Sequence, residues 1–261
     1  MMNTRQPNSQ TLLDFAIDAA WRAGRSTLNL YQTGAAAERK SDNTPVTQAD
    51  RKAEQILREM ITTYWPDHGI IGEEYGHVNS DARYCWIVDP IDGTKSFVSG
   101  VPLYSTLLAL TDGDEALLGV VYFPALDDMI YALRGEGCYW NGRRARVSDQ
   151  KNMADAVLLT SELKYFQPAG RFEAWQRLIE KTYIQRTWGD AYGYFLVATG
   201  RADIMVDPAM HLWDCGPLQV IMEEAGGTFT DWKGNATIHG YESVATNGYL
   251  FEEVMQIIGE R

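Results

Sequence analysis

YCWIVDPIDGTKSF, from Tyr84 to Phe97, is the stretch whose reading decides the fold. Cys85, Trp86, Ile87 and Val88 form a short apolar run of the kind a buried strand shows, and Pro90 disfavours helical geometry at Asp89, so the strand is expected to stop there. Asp89 and Asp92 flank Pro90 and Ile91, and a tight turn could aim both carboxylates at one place. Asp92-Gly93-Thr94 suits the opening of a helix, whose first amides favour an anion. Carboxylates for a hard cation beside amides for a phosphate point to metal-assisted phosphoryl chemistry. The plainer reading is a surface turn in which Asp and Gly serve backbone geometry alone.

The chain has 261 residues, enough for one large or two closely packed domains that bury about three quarters of the unfolded surface. Hydrophobic residues at 45% and charged residues at 22% are ordinary globular values and favour neither disorder nor a membrane class. The formal charge of −12 argues against nucleic acid or anionic lipid as a partner. An enzyme acting on anionic phosphate esters despite that charge needs locally bound cations. Cys85, Cys138 and Cys215 are an odd, widely spaced set, which reads as reduced structural thiols rather than a disulfide framework or zinc site. The opening MMNTRQPNSQ lacks an apolar signal core and no run of about 18 apolar residues occurs, so a cytoplasmic location is expected.

Helical spacing runs from Thr11 to Tyr31, and a polar loop from Lys40 to Asp50 precedes a second helix that ends near Trp65-Pro66. Thr47 and Asp50 have the spacing of a capping box. Gly69–Gly72 is a short strand running into Glu73 and Glu74, a further carboxylate pair at a strand end. Apolar or alternating runs at Leu103–Leu110, Leu117–Phe123, Met129–Leu133 and Gly137–Trp140, with turns at Asp112-Gly113 and Asn141-Gly142, predict an antiparallel sheet. The second half alternates: strands at Ala156–Ser161, Tyr183–Thr187, Ala202–Val206, Thr228–Asp231 and Ser243–Thr246, and helices at Phe172–Lys181, Tyr192–Thr199, Asp214–Ala225 and Gly248–Ile258. Mixed sheets layered with helices suit that pattern, with a soft boundary near Ser148–Met153.

Taken singly, Asp50 reads equally well as a helix cap, Asp214 as an N-cap or first-turn carboxylate and Glu73 as a solvated turn residue, while a cap is the usual reading of Asp190 and Asp207 and a surface charge the default for Arg186. His68, His77, His211 and His239 show no metal-ligand spacing and receive no catalytic role.

GEE at Gly72–Glu74, WIVDPIDGTKSF at Trp86–Phe97, and WD followed by EEAGG within Trp213–Gly227 resemble, in order and spacing, the motifs of the inositol monophosphatase family. With Lys40 and Asp50 upstream, the resemblance covers essentially the whole chain. Lys95-Ser96, WGDAYGY at Trp188–Tyr194 and TDWKG at Thr230–Gly234 are similar to its histidinol-phosphate phosphatase branch.

The resemblance implies an α+β half over residues 1–150 that carries most metal ligands, and an α/β half over residues 151–261 that completes the site. Together they form a layered α-β-α-β-α sandwich of the inositol monophosphatase and fructose-1,6-bisphosphatase type. It implies two or three Mg2+ ions: one held by Glu73, Asp89 and the Ile91 carbonyl, a second by Asp89, Asp92 and Asp214, and a weaker third sharing Glu73. The amides of Gly93 and Thr94 would cradle the phosphate of a small metabolite. A water oriented by Glu73 and Thr94 would attack phosphorus in line, with Asp50 as proton acceptor through Thr94. Arg186, Asp190 and Asp207 would face the leaving group, where two carboxylates suit the protonated amine of histidinol phosphate. A homodimer is also implied. The competing readings are an inositol-phosphate or broad sugar-phosphate phosphatase, more distantly a phosphoadenosine phosphatase, and a regulatory binding protein on the same fold.

Overall fold

The computed structural model describes residues 8–34, 37–39 and 45–260. Lys40 and the residues between it and Pro45 lie outside the described residues. In chain order the elements are α1 (Ser9–Thr27), the two-residue strands β1 (Glu38–Arg39) and β2 (Pro45–Val46), α2 (Gln48–Tyr64), β3 (Gly69–Gly72), β4 (Gly76–Val78), β5 (Tyr84–Asp92), the short α3 (Thr94–Val98), β6 (Ser105–Asp112), β7 (Glu115–Phe123), β8 (Asp128–Leu133), β9 (Gly137–Trp140) and β10 (Arg143–Arg144). There follow β11 (Val157–Leu159), α4 (Phe172–Lys181), β12 (Ile184–Arg186), α5 (Ala191–Ala198), β13 (Ile204–Asp207), α6 (Leu212–Glu224), β14 (Thr228–Thr230), β15 (Ser243–Thr246) and α7 (Phe251–Gly259).

An eight-stranded sheet has the order β10-β9-β8-β7-β6-β5-β3-β4 and is antiparallel except where β3 runs parallel to β5. A five-stranded sheet has the order β12-β11-β13-β15-β14, with β11 parallel to both its neighbours. Side-chain alternation along the strands then separates the layers. Trp86, Val88, Leu108 and Leu110 pack with Leu13, Ala20, Leu57 and Ile61 of α1 and α2. Ile87, Leu107 and Ala109, on the opposite face, pack with Phe195 of α5 and Leu218 and Ile221 of α6, and the same cluster includes Leu159 and Met205 of the small sheet. Leu158, Ile204 and Val206 face the other way, onto Trp175 and Leu178 of α4 and Val254 and Ile257 of α7. The result is the expected α-β-α-β-α order of layers. Helices α5 and α6, enclosed by sheets on both sides, are apolar nearly all round, as a buried helix must be.

Two local expectations change. The strand does not stop at Asp89: β5 continues through Pro90 to Asp92. Asp89 pairs with Leu107 and Asp92 with Ser105, so three steps on β5 oppose two on β6, which is a bulge. Proline is tolerated at a bulge because no ladder amide is required there. Its carbonyl still accepts the Thr106 hydroxyl at 2.8 Å. Helix α6 starts at Leu212, two residues before Asp214, so Asp214 is the first-turn carboxylate of that helix and not the residue that opens it. No helix among the described residues is long and apolar enough to cross a membrane, and all three cysteines are buried and free.

Candidate active site

The bulge decides the direction of the first carboxylates. Side chains on a regular strand alternate with period two, so residues three apart would point to opposite faces. The inserted residue instead brings Asp89 and Asp92 to one side. Asp214 reaches the same point from the first turn of α6, where its Oδ2 accepts the His211 amide at 2.7 Å. One carboxylate oxygen from each of Asp89, Asp92 and Asp214 lies within 4.8 Å of the others.

The Asp89 side chain is buried and its Oδ1 has no hydrogen-bond partner. Asp92 Oδ2 accepts the Ser105 hydroxyl at 3.0 Å and the Ala191 amide at 2.8 Å. Burial first, then the negative charges of Glu73, Asp92 and Asp214, push the Asp89 carboxyl well above its ordinary range. Asp92 rises for burial and for its neighbours Asp190 and Asp214. Burial raises Asp214 to about 8. Protons and a cation therefore compete for these three carboxylates. An oxygen-only donor set with one orphaned buried oxygen fits a hard divalent ion such as Mg2+.

These groups border a cavity of about 550 Å3 that Glu73, Ile91, Gly93, Thr94, Asp190 and Asp207 also line. Parallel strands β3 and β5 end at it, which is why Glu73 and Asp89 meet. The first residues of α3, α5 and α6 border it as well, so their amide ends offset part of the negative charge. Gly93 turns with φ 77°, and a Cβ there would come within 2.8 Å of an Asp190 carboxylate oxygen.

Asp50 proves to be a cap and more. Its Oδ2 accepts the Thr47 amide at 2.8 Å and the Thr47 hydroxyl at 2.6 Å, the carboxylate half of the expected capping box. Its Oδ1 accepts the Thr94 hydroxyl at 3.4 Å, a hydroxyl that also lies 3.0 Å from the Ile91 carbonyl. Burial raises the Asp50 carboxyl.

The leaving-group residues divide. Asp190 caps α5 with φ 25°, a left-handed value that is unusual for a non-glycine and tends to occur at functional sites. Asp207 lines the cavity, but Ser161, Thr160 and Tyr194 occupy both its oxygens at 2.8–3.1 Å, so it acts as a braced wall rather than an open acceptor. Burial raises it to about 6. Arg186 is not brought to the cavity: its guanidinium is exposed, donates to the Gln185 carbonyl at 2.7 Å and lies 6.0 Å from the Trp188 ring centroid.

Glu162 and Tyr165 line the cavity without having been singled out in the sequence, and His211, given no catalytic role there, and Tyr194, quoted only as the end of a motif, line it as well. Glu162 pairs with Lys95 from the other half of the chain and with Lys164 at 2.9 Å. Only the third dimension brings Lys95 and Glu162 together, and no local pattern around Glu162 marks it.

Comparison with known proteins agrees with this geometry. The profile described as the Inositol monophosphatase family matches residues 8–260. A histidinol-phosphatase of Chlorobaculum parvum is 39% identical over 250 residues, 95% of this chain and 96% of that protein. A histidinol-phosphatase of Mycobacterium tuberculosis is 39% identical over 221 residues, 83% of this chain and 85% of that protein. Among solved structures, the extragenic suppressor protein SuhB of Bartonella henselae superposes with a TM-score of 0.90 at 28% identity, covering 96% of this chain and 99% of that one.

Proposed function

Because this chain belongs to the inositol monophosphatase family, and is therefore a phosphate monoester hydrolase, we propose that its substrate is L-histidinol phosphate, which it hydrolyses to L-histidinol and phosphate in histidine biosynthesis. The convergence of Asp89, Asp92 and Asp214 around an orphaned oxygen carries the hydrolase chemistry. The names of its similar relatives, together with the Asp190 carboxylate that borders the cavity, support an amine-bearing alcohol as the leaving group.

Asp89, Asp92 and Asp214 would hold one Mg2+, and Glu73, Asp89 and the Ile91 carbonyl another. That carbonyl lies 3.0 Å from the Thr94 hydroxyl and has two lone pairs, so one remains for a cation even when the hydroxyl donates to it. When bound, Mg2+ supplies positive charge to the phosphoryl oxygens and acidifies water. The protein's own groups do the rest. The amides of Gly93 and Thr94 bind the phosphate, and Glu73 orients the attacking water. Thr94 passes its proton toward Asp50, whose burial-raised basicity suits it to accept one. Asp190 holds the protonated amine of the leaving group.

Phosphate release from histidinol phosphate, inositol monophosphate, fructose bisphosphate and phosphoadenosine phosphate, each with Mg2+ and with chelator, tests the reading. The highest kcat/KM is expected on histidinol phosphate, and chelation should abolish all turnover. A preference for inositol phosphate would remove the substrate and leave the hydrolase, whereas turnover that survives chelation would remove the cation site. Asp190→Asn should cost about 10- to 100-fold in kcat/KM on histidinol phosphate, the worth of a hydrogen bond to a charged group, and far less on an aryl phosphate.

A further inference from the structure

Helix α2 sends a second carboxylate inward one turn beyond Asp50, and none of the chemistry above uses it. Glu54 is fully buried. Its Oε2 accepts the Glu74 amide at 2.7 Å, while Oε1 accepts the Tyr75 amide at 3.1 Å and the Arg58 guanidinium at 2.7 Å. Arg58 donates in turn to the Gly76 carbonyl. The turn between β3 and β4 is thus tied to α2 along its length, and Glu73 sits inside it. The Glu73 amide is tied separately to β5, through the Val88 carbonyl at 3.3 Å, and its side chain lines the cavity.

The approach needs a glycine. A Cβ on residue 72 would lie 2.2 Å from Glu54 Oε1 and 2.6 Å from an Arg58 nitrogen. Stability alone is a poor reason for such an arrangement, since well-packed apolar residues commonly replace a buried ion pair without loss. What an apolar residue cannot do is accept two successive amides. A carboxylate at this place specifies the path of the backbone immediately after Glu73, much as groups behind a metal ligand fix its orientation.

We propose that Glu54 is a positioning residue that holds the Glu73 carboxylate at the cavity through the amides of Glu74 and Tyr75, and thereby sets the cation affinity of the site. The proposal rests on the reading of Glu73 as a cation ligand. Helix α2 then serves the site twice from one face, with Asp50 for the proton and Glu54, four residues on, for the ligand turn.

Mn2+ alone is the probe, its free concentration read by electron paramagnetic resonance as metal-free protein is titrated. Glu54→Gln keeps the shape but turns an amide NH2 toward donors. It should weaken Mn2+ binding about 10- to 100-fold, as loss of a group behind a ligand does, while KM for the phosphate ester at saturating Mn2+ stays near that of the unaltered protein. The double variant Glu54→Gln/Arg58→Met, which removes the uncompensated cation, should fold and show the same weakening. Glu73→Gln is measured alongside. If Glu73→Gln weakens Mn2+ and both Glu54 variants bind it normally, the positioning role is overturned and the ligand reading stands. If Glu73→Gln itself binds Mn2+ normally, the ligand reading falls and takes the proposal with it. In the unaltered protein the Glu74 and Tyr75 amides should exchange slowly with solvent deuterium, and rapid exchange would overturn the proposal whatever the variants do.

Discussion

Asp50 divides its two oxygens between two duties, and the division can be separated by mutation. One oxygen closes the start of α2 against Thr47, and the other meets the Thr94 hydroxyl in the cavity wall. A cap of this kind is worth about 1 kcal/mol. Thr47→Ala removes the partner in the cap and leaves the link to Thr94, so it should lower stability by about that amount with little change in kcat. Asp50→Asn keeps an oxygen for hydrogen bonding but cannot take a proton, and should lower kcat by about 100- to 10,000-fold. Chemical denaturation and steady-state kinetics on the two variants check both. Equal, small effects on kcat would leave Asp50 as a cap and nothing else. Position in the sequence could not decide this, because a capping Asp and a proton-accepting Asp occupy the same place in a helix.

At the scale of elements, the contact between α6 and the large sheet sets where Asp214 stands. A Cβ on Gly119 of β7 would come 2.3 Å from the Pro217 carbonyl oxygen and 2.7 Å from its Cα. Backbone on both sides leaves no flexible side chain to yield, so Gly119→Ala must displace α6, at a cost of about 1–3 kcal/mol. Asp214 lies one turn before Pro217 and moves with the helix. The variant should therefore need more Mg2+ for half-maximal activity as well as unfolding at lower temperature, and an unchanged Mg2+ requirement would show that α6 does not transmit the shift. Elements with strong periodicity were legible before the structure: α2, α4, β7, β8 and β9 fall where their apolar spacing put them. Strands β4 and β10 were not, since Gly76–Val78 and Arg143–Arg144 are edge segments with little buried surface to leave a pattern. The bulge at Pro90 was misread as a strand end because proline argues against a ladder everywhere except at such irregularities. Asp89, Asp92 and Asp214 were legible as a motif. That Asp207 would be filled by Thr160, Ser161 and Tyr194, and Arg186 left outside, depended on packing between layers that no local spacing encodes.

The whole molecule carries a formal charge of −12 and gathers three of its acids into one partly buried cluster. Such a cluster makes the metal-free protein sensitive to pH in a direction opposite to that of two ion pairs on its surface. Burial raises Asp214 from 3.8 to about 8, and Asp89 and Asp92 move the same way. A carboxyl raised on folding contributes stability that is complete below its unfolded value and is lost as pH rises through its folded one. Surface pairs run the other way. The Arg83 guanidinium lowers Asp112 and the Arg51 guanidinium lowers Glu38, so their contributions fade as pH falls. These pairs act alike with or without a cation and cancel in a comparison. Mg2+ takes carboxylates in their charged form and so competes with protons at the cluster, with up to about tenfold weaker binding per pH unit for each proton displaced. The rise in unfolding temperature on adding Mg2+ to chelated, dialysed protein should accordingly be larger at pH 8.5 than at pH 5.5. Calorimetric scans at the two pH values, with and without the ion, measure that difference. An equal rise at both, or a larger one under acidic conditions, would mean that the cation does not bind where Asp89, Asp92 and Asp214 meet.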